Sequence, residues 1–314
     1  MMHRSHRATS ATMLSVTELA TPASPRATVL ALHGIGLGAW LWERWAQGFA
    51  AAGLRLVAAT LPGHGDGRAD VGVEDLVRPV VDWIDGHTGG PLVLLGHSMG
   101  GLIAQVAAER RASGLAGLVL IGPHPTGNLG FVPDPRTVAL AARHGLPVLA
   151  SLGGAAPIRI PWALSRAVGL DTLDESTARE VHARGLGWPA RLVRELARPP
   201  TVDPTAIDCP VLILLGRRDR LVPWYRARIL GDLYDGIVWR YDDLGHFPMF
   251  QDGGARMLRD IVAWSASPTR PMVLESEGFG PAEGVGHLLR RRRRGEAMKR
   301  RSAYGQKPSA RDPG

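Results

Sequence analysis

The feature that most limits how this chain can fold is its alternation of two hydrophobic patterns. Short apolar runs, most of them continuous Val, Leu, Ile and Ala, fall at 28–32, 55–59, 92–95, 117–121, 211–215 and 237–241. Between them lie stretches with helical spacing at 40–52, 73–86, 100–112, 224–233 and 254–265. A strand that is apolar on both faces must be covered on both, and alternating helices provide that cover while leaving neighbouring strands parallel. The expectation is an α/β domain with a mostly parallel central sheet and helices on both faces. A further strand near 14–19 would pair antiparallel at one edge. With 314 residues and 45% hydrophobic content, the chain can bury one large core and still carry an insertion.

That insertion is visible as the one break in the alternation. From His124 to Cys209 the chain runs for 86 residues between two core strands, with helical patterns near 135–150, 161–169, 174–185 and 189–197. The organisation expected is a flexible extension over 1–13, a core made of 14–123 and 210–267, a helical insertion over 124–209 and a basic tail over 268–314. Leu146, Val148, Leu152, Trp162 and Trp188 in the insertion would either roof a site with apolar surface or simply pack it onto the core.

Charge is unevenly spread. The formal net charge is +8, and residues 268–314 contribute +6 of it through 11 Lys/Arg against five acids. The body over 1–267 is therefore close to neutral at +2. The tail includes Arg290 to Arg294 in one run and has little apolar content, so it reads as a solvated segment that could hold polyanions weakly. No aromatic platform accompanies it, and a specific nucleic-acid partner is not expected. Without an apolar run of 18 residues or an apolar N-terminal segment, the chain reads as a cytoplasmic protein with no membrane span. Cys209 is the only cysteine, so no internal disulfide can form, and it reads as a small buried apolar residue. No metal-ligand spacing such as H-E-x-x-H occurs.

Chemistry enters at Gly96-His97-Ser98-Met99-Gly100, which follows the 92–95 run and precedes a helical stretch. Strand, sharp turn and helix in that order lift a serine hydroxyl clear of the sheet. An aspartate, Asp219, follows the 211–215 strand, and a histidine, His246, follows the 237–241 strand. Upstream, the 28–32 strand ends in His33-Gly34-Ile35-Gly36. A serine hydroxyl needs a base to accept its proton, the base needs a carboxylate to fix its tautomer, and the oxyanion formed on a carbonyl needs backbone N–H donors.

These residues, in the order Ser, Asp, His, resemble the α/β-hydrolase superfamily of the capped, single-domain kind over roughly residues 14–266. Leu61-Pro62-Gly63-His64-Gly65 is similar to that family's turn after its next strand, although Thr60 and Gly67 stand where many members carry an aspartate and a serine. The resemblance implies Ser98 as nucleophile, His246 as base, Asp219 as its orienting acid, and the Ile35 and Met99 N–H groups as the oxyanion hole. Gly34, His124, Trp162, Trp188 and Phe247 are candidate substrate contacts. His33 and His97 are expected to be structural, and His64 to lie in a surface turn. The activity implied is hydrolysis of an ester, lactone or thioester of a small, largely hydrophobic carbonyl substrate, with no cofactor and no metal.

Other readings use the same residues. The fold and triad also serve carbon–carbon bond hydrolysis, cofactor-free haloperoxidation, acyl transfer and non-catalytic binding. Gly34 to Ala39 fits G-x-G-x-x-A after a strand, as in a dinucleotide site. The following strand ends Val57-Ala58-Ala59-Thr60 without the acid that would bind a ribose, which argues against an NAD enzyme. The oligomeric state is not legible.

Overall fold

A computed structural model describes residues 13–111, 114–129, 139, 143, 153–154 and 156–268. The helical pattern near 135–150, with Leu146, Val148 and Leu152, the N-terminal extension up to residue 12, and the basic tail after Pro268 lie outside the described residues.

Seven strands form one sheet: β1 (Ser15–Ala20), β2 (Ala27–Leu32), β3 (Leu54–Thr60), β4 (Leu92–His97), β5 (Gly117–Ile121), β6 (Val211–Gly216) and β7 (Ile237–Tyr241), in the order β1-β3-β2-β4-β5-β6-β7. Only β1 is antiparallel, pairing at the edge with β3. The other pairs are parallel, in registers such as Leu30 opposite Leu94 and Leu94 opposite Leu118. β2, β4, β5 and β6 are buried at every position, which explains why they read as unbroken apolar runs.

Eight α-helices lie wholly among the described residues: α1 (Ala46–Ala51), α2 (Val73–Asp85), α3 (Met99–Arg110), α4 (Trp162–Val168), α5 (Glu175–Arg184), α6 (Ala190–Leu196), α7 (Trp224–Tyr234) and α8 (Gly254–Ser265). Successive strand residues point to opposite faces, and the core divides accordingly. Leu30, Leu32, Val57 and Leu94 pack with Leu76, Val80, Leu102 and Val106 of α2 and α3. Val29, Ala31, Val93 and Leu95 pack with Trp42, Phe49, Met257, Ile261 and Trp264 on the opposite face, beside α1 and α8. The helix expected over 40–52 is instead a 3₁₀ segment, Ala39–Trp45, followed by α1. The tighter winding starts where the Leu41 N–H donates to the Gly38 carbonyl, and it turns Leu41, Trp42 and Trp45 inward together.

The strand order reverses at β2. The chain steps outward from β2 to β3 and then returns to place β4 on β2's other side. The loops after β2 and β4 therefore diverge and leave a crevice at the carboxyl ends of these strands, the place where open α/β sheets bind ligands. α4, α5 and α6 all belong to the segment between β5 and β6. No helix among the described residues is long and apolar enough to cross a membrane.

Candidate active site

β4 ends at His97, and the next residue, Ser98, has φ 54° and ψ −121°. Among the described residues, Ser98 and Asp235 are the only non-glycine positions with positive φ. Such a conformation costs of order 1–3 kcal/mol and persists only where the surroundings enforce it. They do so here by close backbone packing. A Cβ on Gly96 would lie 2.4 Å from the Gly100 carbonyl oxygen, and one on Gly100 would lie 2.4 Å from the Leu32 oxygen at the end of β2. The flanking glycines thus let α3 start directly over the strands. The Ser98 N–H donates to the Ile121 carbonyl at 3.0 Å, and the Ser98 carbonyl accepts from the His124 N–H at 2.8 Å. Both ends of the elbow are tied to the chain around β5.

Asp219 and His246 form a buried pair. His246 Nδ1 lies 2.7 Å from Asp219 Oδ2, with side-chain exposures of 3% and 1%, so water cannot compete for the contact. The other carboxylate oxygen, Oδ1, accepts from the Leu221 and Val222 N–H groups at 2.8 and 2.9 Å. Since a carboxylate oxygen is an acceptor for Nδ1–H, Nε2 is left as the nitrogen with a free lone pair. The pair is brought beside the elbow by His97, whose Nε2–H donates to the His246 carbonyl at 2.8 Å, the two rings having centroids 4.8 Å apart. A Cβ on Gly122, just past β5, would lie 3.0 Å from Asp219 Oδ2 and 3.5 Å from His246 Nδ1. Ser98, Asp219 and His246 thus gather at one end of the sheet from β4, β6 and β7.

The loop after β2 faces Ser98 closely: a Cβ on Gly34 would come within 3.1 Å of both Ser98 Cβ and His97 Nδ1. His33 anchors this loop, with Nδ1–H donating to the Gly34 carbonyl at 2.7 Å and Nε2 accepting from the Leu61 N–H at 3.0 Å. Among the described residues, no hydrogen bond takes the N–H of Ile35 or Met99. Burial holds His33 and His97 well below the usual histidine pKa, so both act as neutral rings in their hydrogen bonds. His64, expected in a surface turn, is buried at 3% exposure. Its ring meets His33 edge to face at 4.8 Å, and its Nδ1 reaches the Leu61 and Pro62 carbonyls. The turn folds inward to brace His33.

The remaining candidates divide. Phe247 is buried against both rings, 5.3 Å from His246 and 5.5 Å from His97. His124 borders the elbow through its N–H, its Nδ1–H donates to the Pro125 carbonyl, and burial lowers its pKa to about 4. Trp188 covers Gly36, since a Cβ there would fall 2.0 Å from its Nε1. Trp162 instead packs on His182 and under the Arg179 guanidinium, contacts within its own segment. The His97–His246 tie went unseen in the sequence, because 149 residues separate the two and no local pattern joins them. Cys209 is buried, with its thiol pushed up to about 11.

Residues 29–259 match the family model described as the alpha/beta hydrolase family, and the chain belongs to that family. The chain is similar to a monoacylglycerol lipase of Mycolicibacterium smegmatis, 29% identical over 256 residues, covering 77% of this chain and 89% of that protein. It is likewise 29% identical over 260 residues to a pimeloyl-[acyl-carrier protein] methyl ester esterase of Aromatoleum aromaticum, covering 76% and 98%. In fold it resembles the crystal structure of a monoacylglycerol lipase of Paleococcus ferrophilus, with a TM-score of 0.60 at 22% identity over 82% of this chain and 99% of that one. The protein is an enzyme of the carboxylic ester hydrolase kind.

Proposed function

We propose that the chain hydrolyses an ester, lactone or thioester of a small, largely hydrophobic substrate through a Ser98–His246–Asp219 triad. The observation that carries this reading is the buried Asp219–His246 pair beside a serine in a left-handed elbow. Asp219 orients the imidazole and stabilises its protonated form. His246 Nε2 takes the Ser98 hydroxyl proton as Oγ bonds to the substrate carbonyl carbon, and the carbonyl π electrons move onto oxygen. The Ile35 and Met99 N–H groups stabilise that oxyanion, each worth on the order of 3 kcal/mol of barrier. Collapse expels the alkoxide or thiolate, which takes the proton from His246 and leaves an acyl-Ser98. Water, deprotonated by His246, then attacks the acyl carbon and releases the acid and free Ser98.

Apolar substrate preference is supported by Phe247 beside His246 and by Trp188 on the Gly36 loop. The relatives named as lipase and methyl ester esterase act on esters, which agrees with this class. In the same reading, the segment 124–209 is a cap that roofs the crevice. The test is covalent labelling. A fluorophosphonate should label the protein once per chain, and Ser98→Ala should abolish labelling and lower kcat on p-nitrophenyl esters by about 10³-fold or more. Labelling that persists in Ser98→Ala would remove Ser98 from the mechanism. A substrate panel that also includes carbon–carbon cleavage and peroxide-dependent halogenation separates ester hydrolysis from the other chemistries of this fold.

A further inference from the structure

The loop that would hold the oxyanion is not held by the α/β core alone. Residues 34–37 form a turn closed by the Leu37 N–H on the Gly34 carbonyl at 3.3 Å, and Gly36 within it sits at φ 71°. The outward-facing Gly36 carbonyl accepts from the Leu186 N–H at 2.7 Å. Leu186 belongs to the segment between β5 and β6. Two residues on, the Trp188 indole lies flush on Gly36, with its Nε1 and Cδ1 at 2.0 and 2.4 Å from the position of a Cβ there. No side chain at residue 36 fits beneath this ring.

Trp188 is itself fixed. It exchanges both backbone hydrogen bonds with Ile158, each 2.8 Å, in an isolated antiparallel bridge. The strip 186–189 continues across the opposite rim, where Leu186 approaches Gly65 and Pro189 would meet a Cβ on Gly63 at 2.6 Å. On the flank, Arg184 stacks over the Trp40 ring at 4.4 Å and pairs with Glu43 at 2.8 Å. The strip is therefore wedged between the loops after β2 and β3 and touches the first of them at Gly36, the residue after Ile35, through the Gly36 carbonyl and the face of its Cα.

We propose that Trp188 is a positioning residue: with the Leu186 N–H it holds Gly36 and the carbonyl of the peptide after it, and so fixes the 34–37 turn with the Ile35 N–H pointing at the developing oxyanion. This rests on the reading of Ile35 as an oxyanion donor. The physical ground is that a turn with a left-handed glycine has low intrinsic preference for one orientation, because glycine samples many backbone states. A donor that rotates away from the reacting oxygen loses transition-state stabilisation without losing ground-state binding. The oxyanion hole is then complete only while the 186–188 strip is docked.

The experiment compares full-length Trp188→Ala, Trp188→Leu and Trp188→Phe on p-nitrophenyl acetate, with inhibition by a trifluoromethyl ketone, which forms a hemiketal oxyanion on the serine. Trp188→Ala and Trp188→Leu should lower kcat about tenfold to a hundredfold with KM within threefold. The trifluoromethyl ketone should weaken by a similar factor, and Trp188→Phe should restore most of both. A thermal unfolding scan accompanies each variant, and Trp188→Leu decides the matter if the alanine variant does not fold. A rise in KM with kcat and ketone affinity unchanged would make Trp188 only a wall of the substrate site and overturn the proposal. Ser98→Ala in the same assay keeps the two readings apart. If it retains activity, the reading of Ser98 as nucleophile has failed. If it is inactive while the Trp188 variants match wild type, only the positioning role has.

Discussion

Asp219 is held at both carboxylate oxygens. One oxygen faces His246 and the other receives two backbone N–H groups from its own loop, so the group cannot rotate without losing one of these. Asp219→Asn would keep the shape but present an amide N–H either to Nδ1 of His246 or to the Leu221 and Val222 donors. Each choice sets two donors against each other or flips the imidazole tautomer. The expected result is a folded protein, with thermal midpoint near wild type, whose kcat on p-nitrophenyl esters is lower by about 10³- to 10⁴-fold. A loss of less than tenfold would mean that another carboxylate, such as Asp242 or Asp243, orients the base. At this scale the sequence was informative wherever chemistry follows strand ends in a set order, as for Ser98, Asp219 and His246. It was misleading for His64, because a Pro-Gly-His-Gly turn looks exposed until the fold closes it onto His33. It marked His97 as structural without showing its partner, the His246 carbonyl, which lies far away in the chain.

Elements were legible where burial is uniform. The continuous apolar runs identify β2, β4, β5 and β6 because both faces of these strands are covered, and strand ends differ from the sequence expectation by one or two residues. The Ile158–Trp188 bridge was not legible, since an isolated pair has no period. The β4–α3 junction shows how an element boundary sets function. Gly100→Ala would push a methyl carbon to 2.4 and 2.5 Å from the Leu32 and His33 carbonyl oxygens, so β2 and α3 must separate. Gly67 has φ 76° but nothing within 4 Å of an added Cβ. Gly67→Ala should therefore cost only about 1 kcal/mol of backbone strain, whereas Gly100→Ala adds overpacking of roughly 1–3 kcal/mol. Urea unfolding of the two variants checks the order. The Gly100 variant should also lose turnover, because the displaced strand end carries the loop with Ile35, and equal stability for the two would contradict the packing argument.

At the scale of the whole molecule, four of the described histidines besides His246 are enclosed. His33, His64, His97 and His124 all have their pKa lowered mainly by burial, His124 to about 4 and His33 and His97 well below the ordinary value. In the unfolded chain each would take up a proton near pH 6.5, while in the folded protein burial moves that uptake to lower pH. The unfolded state thus binds more protons below that pH, and the stability these groups contribute, fully present above about pH 6.5, is lost as pH falls towards 4. Each histidine removes up to about 1.4 kcal/mol per pH unit. Asp66 and Glu74, held below the usual carboxylate range by arginine hydrogen bonds, would lose their contribution only at lower pH. Asp171 and Asp260, raised mainly by burial, act in the opposite direction and offset part of the slope. Four enclosed histidines against two such carboxylates leave a net loss. The urea midpoint should fall from pH 6.5 to 4.5, and the pH dependence of the unfolding free energy should report a net uptake of protons on unfolding near pH 5. His124→Asn should flatten that slope by nearly one proton, since its folded and unfolded values bracket the window. A midpoint that stays level or rises over the same range would show that the buried rings accept protons in the folded state, and that the hydrogen bonds of His33 and His97 do not depend on their neutrality.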